Sequence, residues 1–237
     1  MTPLLESQKL YVAYGDMVAV HGIDLVLRHG EALAIIGANG AGKSTFLKAV
    51  TGLQSSRSGT VLYDGAPIEA LHPRRIFRKG IALVPEGRRL FSSLTIEENL
   101  RLGQIGSGRT GNWDLERVYA LFPALRERRT LYPSDLSGGQ QQMVAIGRAL
   151  LSNPEVLICD EISLGLAPSV IKDIYAALET LKGKMAMIVV EQSLEMALSH
   201  SDRFYCLMEG RVKLTGRSAE AQLDQVKQAY FGSTTDA

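Results

Sequence analysis

Short runs of β-branched and other apolar residues recur along this chain, and between them lie stretches whose apolar positions repeat at helical spacing. Ala32–Ile36, Ile81–Val84, Val156–Cys159, Met187–Val190 and Phe204–Met208 are predicted strands. Several of these are hydrophobic without a break, as expected of strands buried on both faces. Helical spacing predicts helices over Lys43–Val50, Ile96–Leu102, Leu115–Leu121, Gln140–Leu151, Val170–Leu181 and Ala219–Tyr230. Strand and helix alternate, the pattern of an α/β fold with a mostly parallel sheet. The opening segment reads differently. Leu10–Tyr14, Val18–Val20 and Ile23–Leu27 are short strands parted by turn residues such as Gly15-Asp16, predicting an antiparallel β layer at one edge that Gly59–Asp64 and Arg211–Leu214 would extend. Residues 95–136 are helix-rich, punctuated by Gly103, Gly106, Gly108 and Gly111, and read as a helical insertion. The expectation is one domain over 1–237, an α/β core in 1–94 and 137–237 around a helical subdomain, with a small polar tail at 232–237 that frays.

Composition narrows the class. At 237 residues and 46% hydrophobic, the chain can bury a sizeable core without covalent staples. Lys and Arg number 26 against 25 Asp and Glu, so the net charge of +1 argues against a protein that grips nucleic acid by overall charge, and no nucleic-acid partner is expected. The two cysteines, Cys159 and Cys206, sit in apolar runs and read as buried thiols of a reducing compartment. The longest apolar stretch, Met185–Val190, is far below the ~20 residues that cross a bilayer. The N-terminal segment shows no basic start followed by an apolar block, so no secretory signal is expected. Work at a membrane would need another chain as its anchor.

Three motifs carry the chemistry. Gly37-Ala38-Asn39-Gly40-Ala41-Gly42-Lys43-Ser44-Thr45 follows a predicted strand, opens a predicted helix and fits G-x-x-x-x-G-K-[ST]. Such a loop turns successive backbone N–H groups toward phosphates, and the helix N-terminus adds positive partial charge. Lys43 would reach the β- and γ-phosphates as a point charge, and the Ser44 hydroxyl would ligate Mg²⁺. The strand Val156–Cys159 ends in Asp160-Glu161, at the edge of the sheet where ligands bind. Asp160 is expected to hold Mg²⁺ through water, and Glu161 to polarise the attacking water as general base. Finally, Leu136-Ser137-Gly138-Gly139-Gln140 precedes a helix and forms a second anion site from a hydroxyl, glycine amides and a helix N-terminus.

With that last motif the chain resembles the ATP-binding-cassette (ABC) ATPases, whose LSGGQ signature it carries unchanged, and the resemblance spans roughly Leu10 to Leu214. It implies a P-loop NTPase core and ATP and Mg²⁺ as ligands. It also implies a second ABC ATPase subunit, identical or related, packed head to tail so that the signature of each copy (Ser137, Gly138, Gly139, Gln140) caps ATP held by the other's loop. Tyr14 stands where the family places an aromatic ring against adenine, with Tyr11 as a rival.

Four positions depart from the usual family pattern. Glu86 replaces the Gln that touches Mg²⁺, Gln192 replaces the His that faces the γ-phosphate, Ala167 replaces an Asp, and Ile162 replaces a Pro. An amide at Gln192 still donates to phosphate but takes up no proton. The segments Pro85–Phe91, Ser163–Pro168 and Val190–Gln192 look like those of the ATPases of branched-chain (hydrophobic) amino-acid importers. That likeness implies a motor on the inner face of the cell membrane, bound to integral permease subunits and never touching the solute. The basic cluster Arg74, Arg75, Arg78, Lys79, Arg88 and Arg89 would form the docking side. A soluble cassette serving assembly or regulation without a membrane partner is the alternative reading.

Overall fold

The computed structural model describes residues 3–232, so the expectation for the tail lies outside the described residues apart from Gly232. The chain opens with two strands of 12 residues each, β1 (Pro3–Tyr14) and β2 (Met17–Arg28), paired antiparallel. These replace the three short strands expected. The period-2 alternation is broken where the register shifts, at Lys9 (φ 44°) and Gly22 (φ 71°), and such bulges split one strand into apparent fragments.

The fully buried β3 (Ala32–Ile36) leads into α1 (Lys43–Val50). The strands β4 (Ser58–Tyr63) and β5 (Ala66–Pro67) then complete an antiparallel sheet of order β2-β1-β4-β5. A helix that the hydrophobic pattern does not announce follows, α2 (Pro73–Lys79), with Ile76 as its buried residue and His72 as its cap. After β6 (Ile81–Val84) come α3 (Ile96–Ser107), α4 (Leu115–Leu121), the short α5 (Pro123–Glu127) and a 3₁₀ turn at Pro133–Asp135. The last part of the chain is α6 (Gly138–Leu150), β7 (Val156–Asp160), α7 (Pro168–Glu179), β8 (Ala186–Glu191), α8 (Leu194–Ser199), β9 (Arg203–Met208), β10 (Arg211–Arg217) and α9 (Leu223–Phe231).

The second sheet has the order β10-β9-β3-β8-β7-β6, parallel except for the β10–β9 pair. Arg211–Leu214 therefore belongs to this sheet and not to the antiparallel layer expected to take it. Glu209 (φ 51°) and Gly210 (φ 69°) form a tight two-residue turn, and left-handed backbone at both positions folds a strand straight back on its predecessor. The turn still touches the other sheet, since His21 N donates to Gly210 O at 2.8 Å.

Between the sheets lies one core that includes Leu10, Val12, Ile35, Phe46, Leu47 and Ile188. Phe46 and Leu47 of α1 are fully buried, each worth about 1.5–3 kcal/mol by apolar burial, so the helix that opens at Lys43 is fixed on its inner face. A second core under α3, α4, α6 and α7 includes Leu100, Val118, Ile146, Leu157 and Ile174. Gly103 and Gly106 lie inside α3, not in a loop as expected. A Cβ at Gly103 would stand 1.9 Å from Arg148 O, so this glycine lets α3 touch α6 backbone to backbone. In the main sheet β3, β8, β7 and β6 are consecutive neighbours and parallel, so the segments after Ile36, Glu191, Asp160 and Val84 all leave by one edge. That edge holds the chemistry.

Candidate active site

The glycine-rich loop curls because its glycines adopt or admit what other residues would resist. Gly40 (φ 81°) and Gly42 (φ 96°) are left-handed, and a Cβ on Gly37 would stand 2.4 Å from Leu207 O. No side chain caps α1, so the amides of its first turn remain available to an anion. Beside the loop opens a cleft of about 530 Å³, whose walls include Asn39, Gly40, Ala41, Gly42, Lys43, Ser44 and Thr45, joined by Tyr14, Glu86, Glu161 and Gln192. Gly37 shapes the loop from behind and does not line the cleft.

Lys43 is only 4% exposed, and its Nζ donates to Gly37 O at 2.7 Å and Ala38 O at 3.1 Å. It also pairs with Glu161 Oε1 at 3.1 Å. Glu161 sits in left-handed backbone (φ 48°) just past the end of β7, where its N–H donates to Val190 O at 3.1 Å. Its other carboxylate oxygen accepts from Gln192 Nε2 at 2.7 Å, and the same nitrogen donates to Asn39 Oδ1 at 3.0 Å. Two side chains, Lys43 and Gln192, thus hold one carboxylate, and Asn39 of the loop steadies Gln192.

Ser44 Oγ donates to Asp160 Oδ1 at 3.3 Å. Burial pushes the Asp160 carboxyl up to about 6; the charges of Glu161 and Glu86 add to this, while the Ser44 bond and Lys43 oppose it. Among the described residues no group of three or more His, Cys, Asp or Glu side chains could hold a metal alone. The hard oxygen donors of Ser44, Asp160 and Glu86 suit an ion that draws its remaining ligands from phosphate and water, as Mg²⁺ does.

Tyr14, 42% exposed, ends β1 at the mouth of the cleft. Its rival Tyr11 is spent elsewhere, its ring covering Gly22, where a Cβ would stand 2.9 Å from the ring. Met17 (66% exposed), Ala19 and Leu164 also line the cleft and escaped the sequence reading. The signal the sequence offered at Met17 was its place directly after the Gly15-Asp16 turn that Tyr14 leads into.

The signature lies apart from this cleft. Ser137 caps α6: its Oγ accepts from Gln140 N at 3.3 Å, while Gln140 Oε1 accepts from Ser137 N at 3.1 Å. A Cβ on Gly138 would meet the Arg88 guanidinium at 2.9 Å, and one on Gly139 would meet Val170 at 2.2 Å. Ile162, in place of the usual Pro, is 2% exposed in the core under α7. His200 stacks on Tyr175, ring centroids 4.3 Å apart, and its Nδ1 lies 2.9 Å from Glu179 Oε1, away from the cleft. Glu191, the last residue of β8, is 2% exposed; burial raises its carboxyl, and bonds from Ser163 and Tyr175 oppose the rise.

Comparison with known proteins agrees with this geometry. Residues 20–163 match the ABC transporter family. The high-affinity branched-chain amino acid transport ATP-binding protein BraG of Pseudomonas aeruginosa is 41% identical over 232 residues, covering 97% of this chain and 100% of its own length. The branched-chain amino acid transport ATP-binding protein LivF of Archaeoglobus fulgidus is 33% identical, over 92% of this chain and 93% of its own. Among solved structures, a nucleotide-free ATP-binding cassette from an ABC transporter matches with a TM-score of 0.83 at 26% identity, over 98% of this chain and 100% of that one. A dimeric cassette in a post-hydrolysis state, bound to ADP and Pi, matches with a TM-score of 0.80 at 26% identity, over 90% of this chain and 98% of that one. The chain belongs to the ABC transporter family, as one of its ATP-hydrolysing ATP-binding cassettes.

Proposed function

We propose that this chain is the ATP-driven motor of an importer for branched-chain or related hydrophobic amino acids. One observation carries the ATPase reading: Glu161 is held between Lys43 and Gln192 in the cleft of the glycine-rich loop, while the Ser137 turn stands outside it. A base and a phosphate cradle are present in one chain, and the capping anion site is left for another. The importer class is supported by the likeness to BraG and LivF. Loop amides and Lys43 bind the β- and γ-phosphates, and Tyr14 stacks on adenine, worth ~1–3 kcal/mol by analogy with base–aromatic contacts. Ser44 and Glu86, with Asp160 through water, would hold Mg²⁺, which would supply neutralisation of phosphate charge. A triphosphate competes with Glu161 for Lys43, and the released carboxylate accepts the proton of the attacking water. Gln192 keeps that carboxylate oriented with one N–H and, on releasing Asn39, donates the other to the γ-phosphate.

In this reading two cassettes, identical or related, pack head to tail. Ser137, Gly138, Gly139 and Gln140 of one copy then close on the nucleotide of the other. Residues 95–136 form the helical subdomain of a single domain over 1–237. Among the described residues no helix is long and apolar enough to cross a membrane. The proposed seat, supported by the likeness to importer ATPases, is peripheral, on the cytoplasmic face, against integral permease subunits that carry the solute.

Purification of the tagged chain from detergent-extracted membranes of its own cells tests the assignment. Integral membrane chains should co-purify in fixed stoichiometry. A chain that turns over ATP and brings down none of them is instead the soluble assembly or regulatory module.

A further inference from the structure

Glu191 is a buried acid outside the phosphate cleft, and both of its oxygens are engaged. Oε2 accepts from Ser163 Oγ at 2.5 Å and Oε1 accepts from Tyr175 Oη at 2.6 Å. Among the described residues no Lys, Arg or His pairs with it. A carboxylate in such a place is costly, and an aliphatic side chain would fill the same volume at lower cost. Its position suggests what it does. The β7–β8 ladder ends at Asp160 opposite Val190, and the Glu161 N–H to Val190 O is the last backbone link before the chain turns away. Beyond it the segment has local turn bonds, from Leu164 N to Glu161 O and from Leu166 N to Ser163 O. Ser163 makes the next tie back to the sheet, its hydroxyl and its backbone N–H both donating to the Glu191 carboxylate.

We infer that Glu191 is a positioning residue for hydrolysis: through Ser163 it fastens the segment carrying Glu161 to the strand end carrying Gln192. Ser163 lies two residues after Glu161 and Glu191 one residue before Gln192, so the tie sets the relative height of the two side chains that meet at 2.7 Å. Ile162, 2% exposed between them, anchors the same turn from the apolar side. A buried acid and a buried aliphatic residue thus fix a turn that carries no proline.

The inference rests on Glu161 being the base, and the test separates the two. In the full-length chain, steady-state kinetics with Mg²⁺ and ATP are measured for Ser163→Ala, Ser163→Thr, Glu191→Leu and Glu161→Gln. Loss of the tie misplaces the base without touching the phosphate cradle, so Glu191→Leu, which loses both bonds, should lower kcat roughly 10- to 100-fold and Ser163→Ala, which keeps the backbone bond, about 5- to 20-fold, each with KM within about 2-fold. Ser163→Thr keeps the hydroxyl and should restore kcat to within about 3-fold of the parent, a rescue that simple packing does not give. In the Glu161→Gln background, Ser163→Ala should cause no further loss, since it acts through Glu161. If Glu191→Leu does not fold, the two Ser163 variants carry the test. A parental kcat in Ser163→Ala, or a Ser163→Thr no better than Ser163→Ala, overturns the inference while a slow Glu161→Gln leaves the base assignment standing. A Glu161→Gln that turns over at the parental rate removes both.

Discussion

Lys43 Nζ and Glu161 Oε1 lie 3.1 Å apart, with the two side chains only 4% and 9% exposed. The cation that grips phosphate and the carboxylate that prepares water therefore hold each other, and a nucleotide must part them. Replacing the acid makes that parting easier. Glu161→Gln should bind ATP at least as tightly as the parent in equilibrium titration, while single-turnover hydrolysis falls ~10²–10⁴-fold.

Removing the cation has the opposite result. Lys43→Ala should abolish turnover and with it the thermal stabilisation by ATP, about 2.7 kcal/mol for the parent at a ligand concentration 100 times Kd. Differential scanning calorimetry with and without nucleotide reads this directly. A full ATP-induced rise in Tm for the variant would place phosphate recognition elsewhere.

Gln192 bridges Glu161 and Asn39 through one nitrogen. Gln192→Ala loses an orienting bond and should cut kcat about 3- to 10-fold with KM little changed. Gln192→Glu sets a second carboxylate against Glu161 and should be slower than Gln192→Ala. Steady-state ATP turnover ranks the two against the parent, and a parental rate in Gln192→Ala would show that the amide does not orient the base.

Asn99 is fully buried in α3, accepting from Phe91 N and donating to the carbonyls of Phe91, Leu94 and Thr95. It organises the segment between Glu86 and α3. Asn99→Ala orphans these buried groups and should cost about 2–3 kcal/mol in urea unfolding, with an unchanged m-value.

The parallel sheet was legible because strands such as Val156–Asp160 are buried on both faces and therefore apolar throughout. The antiparallel layer was less so, since bulges at Lys9 and Gly22 interrupt its alternation. The placement of Arg211–Leu214 depended on a two-residue turn at Glu209-Gly210, whose left-handed backbone is a matter of conformation that apolar spacing does not encode. In the cleft, the residues with motif spacing could be named from the chain alone. Ala19 could not, because it belongs to no motif and arrives by folding, and Leu164, although inside the Ser163–Pro168 segment, carries no motif chemistry that would place it in the cleft. Glu191 reads in sequence as one acid after an apolar run; its tie to Ser163 needs β7 and β8 side by side.

A second cassette, identical or related, should close on ATP with the loop of one facing the signature of the other, and cysteine cross-linking reports that directly, first between two copies of this chain. Cys159 and Cys206 are both buried, so introduced thiols report with little background. With Asn39→Cys and Ser137→Cys on separate copies in the Glu161→Gln background, oxidation in the presence of ATP should give an intermolecular disulfide that ADP does not support. ATP bound with no cross-link, either between two copies or to the related cassette that co-purifies with the chain, would contradict the shared site.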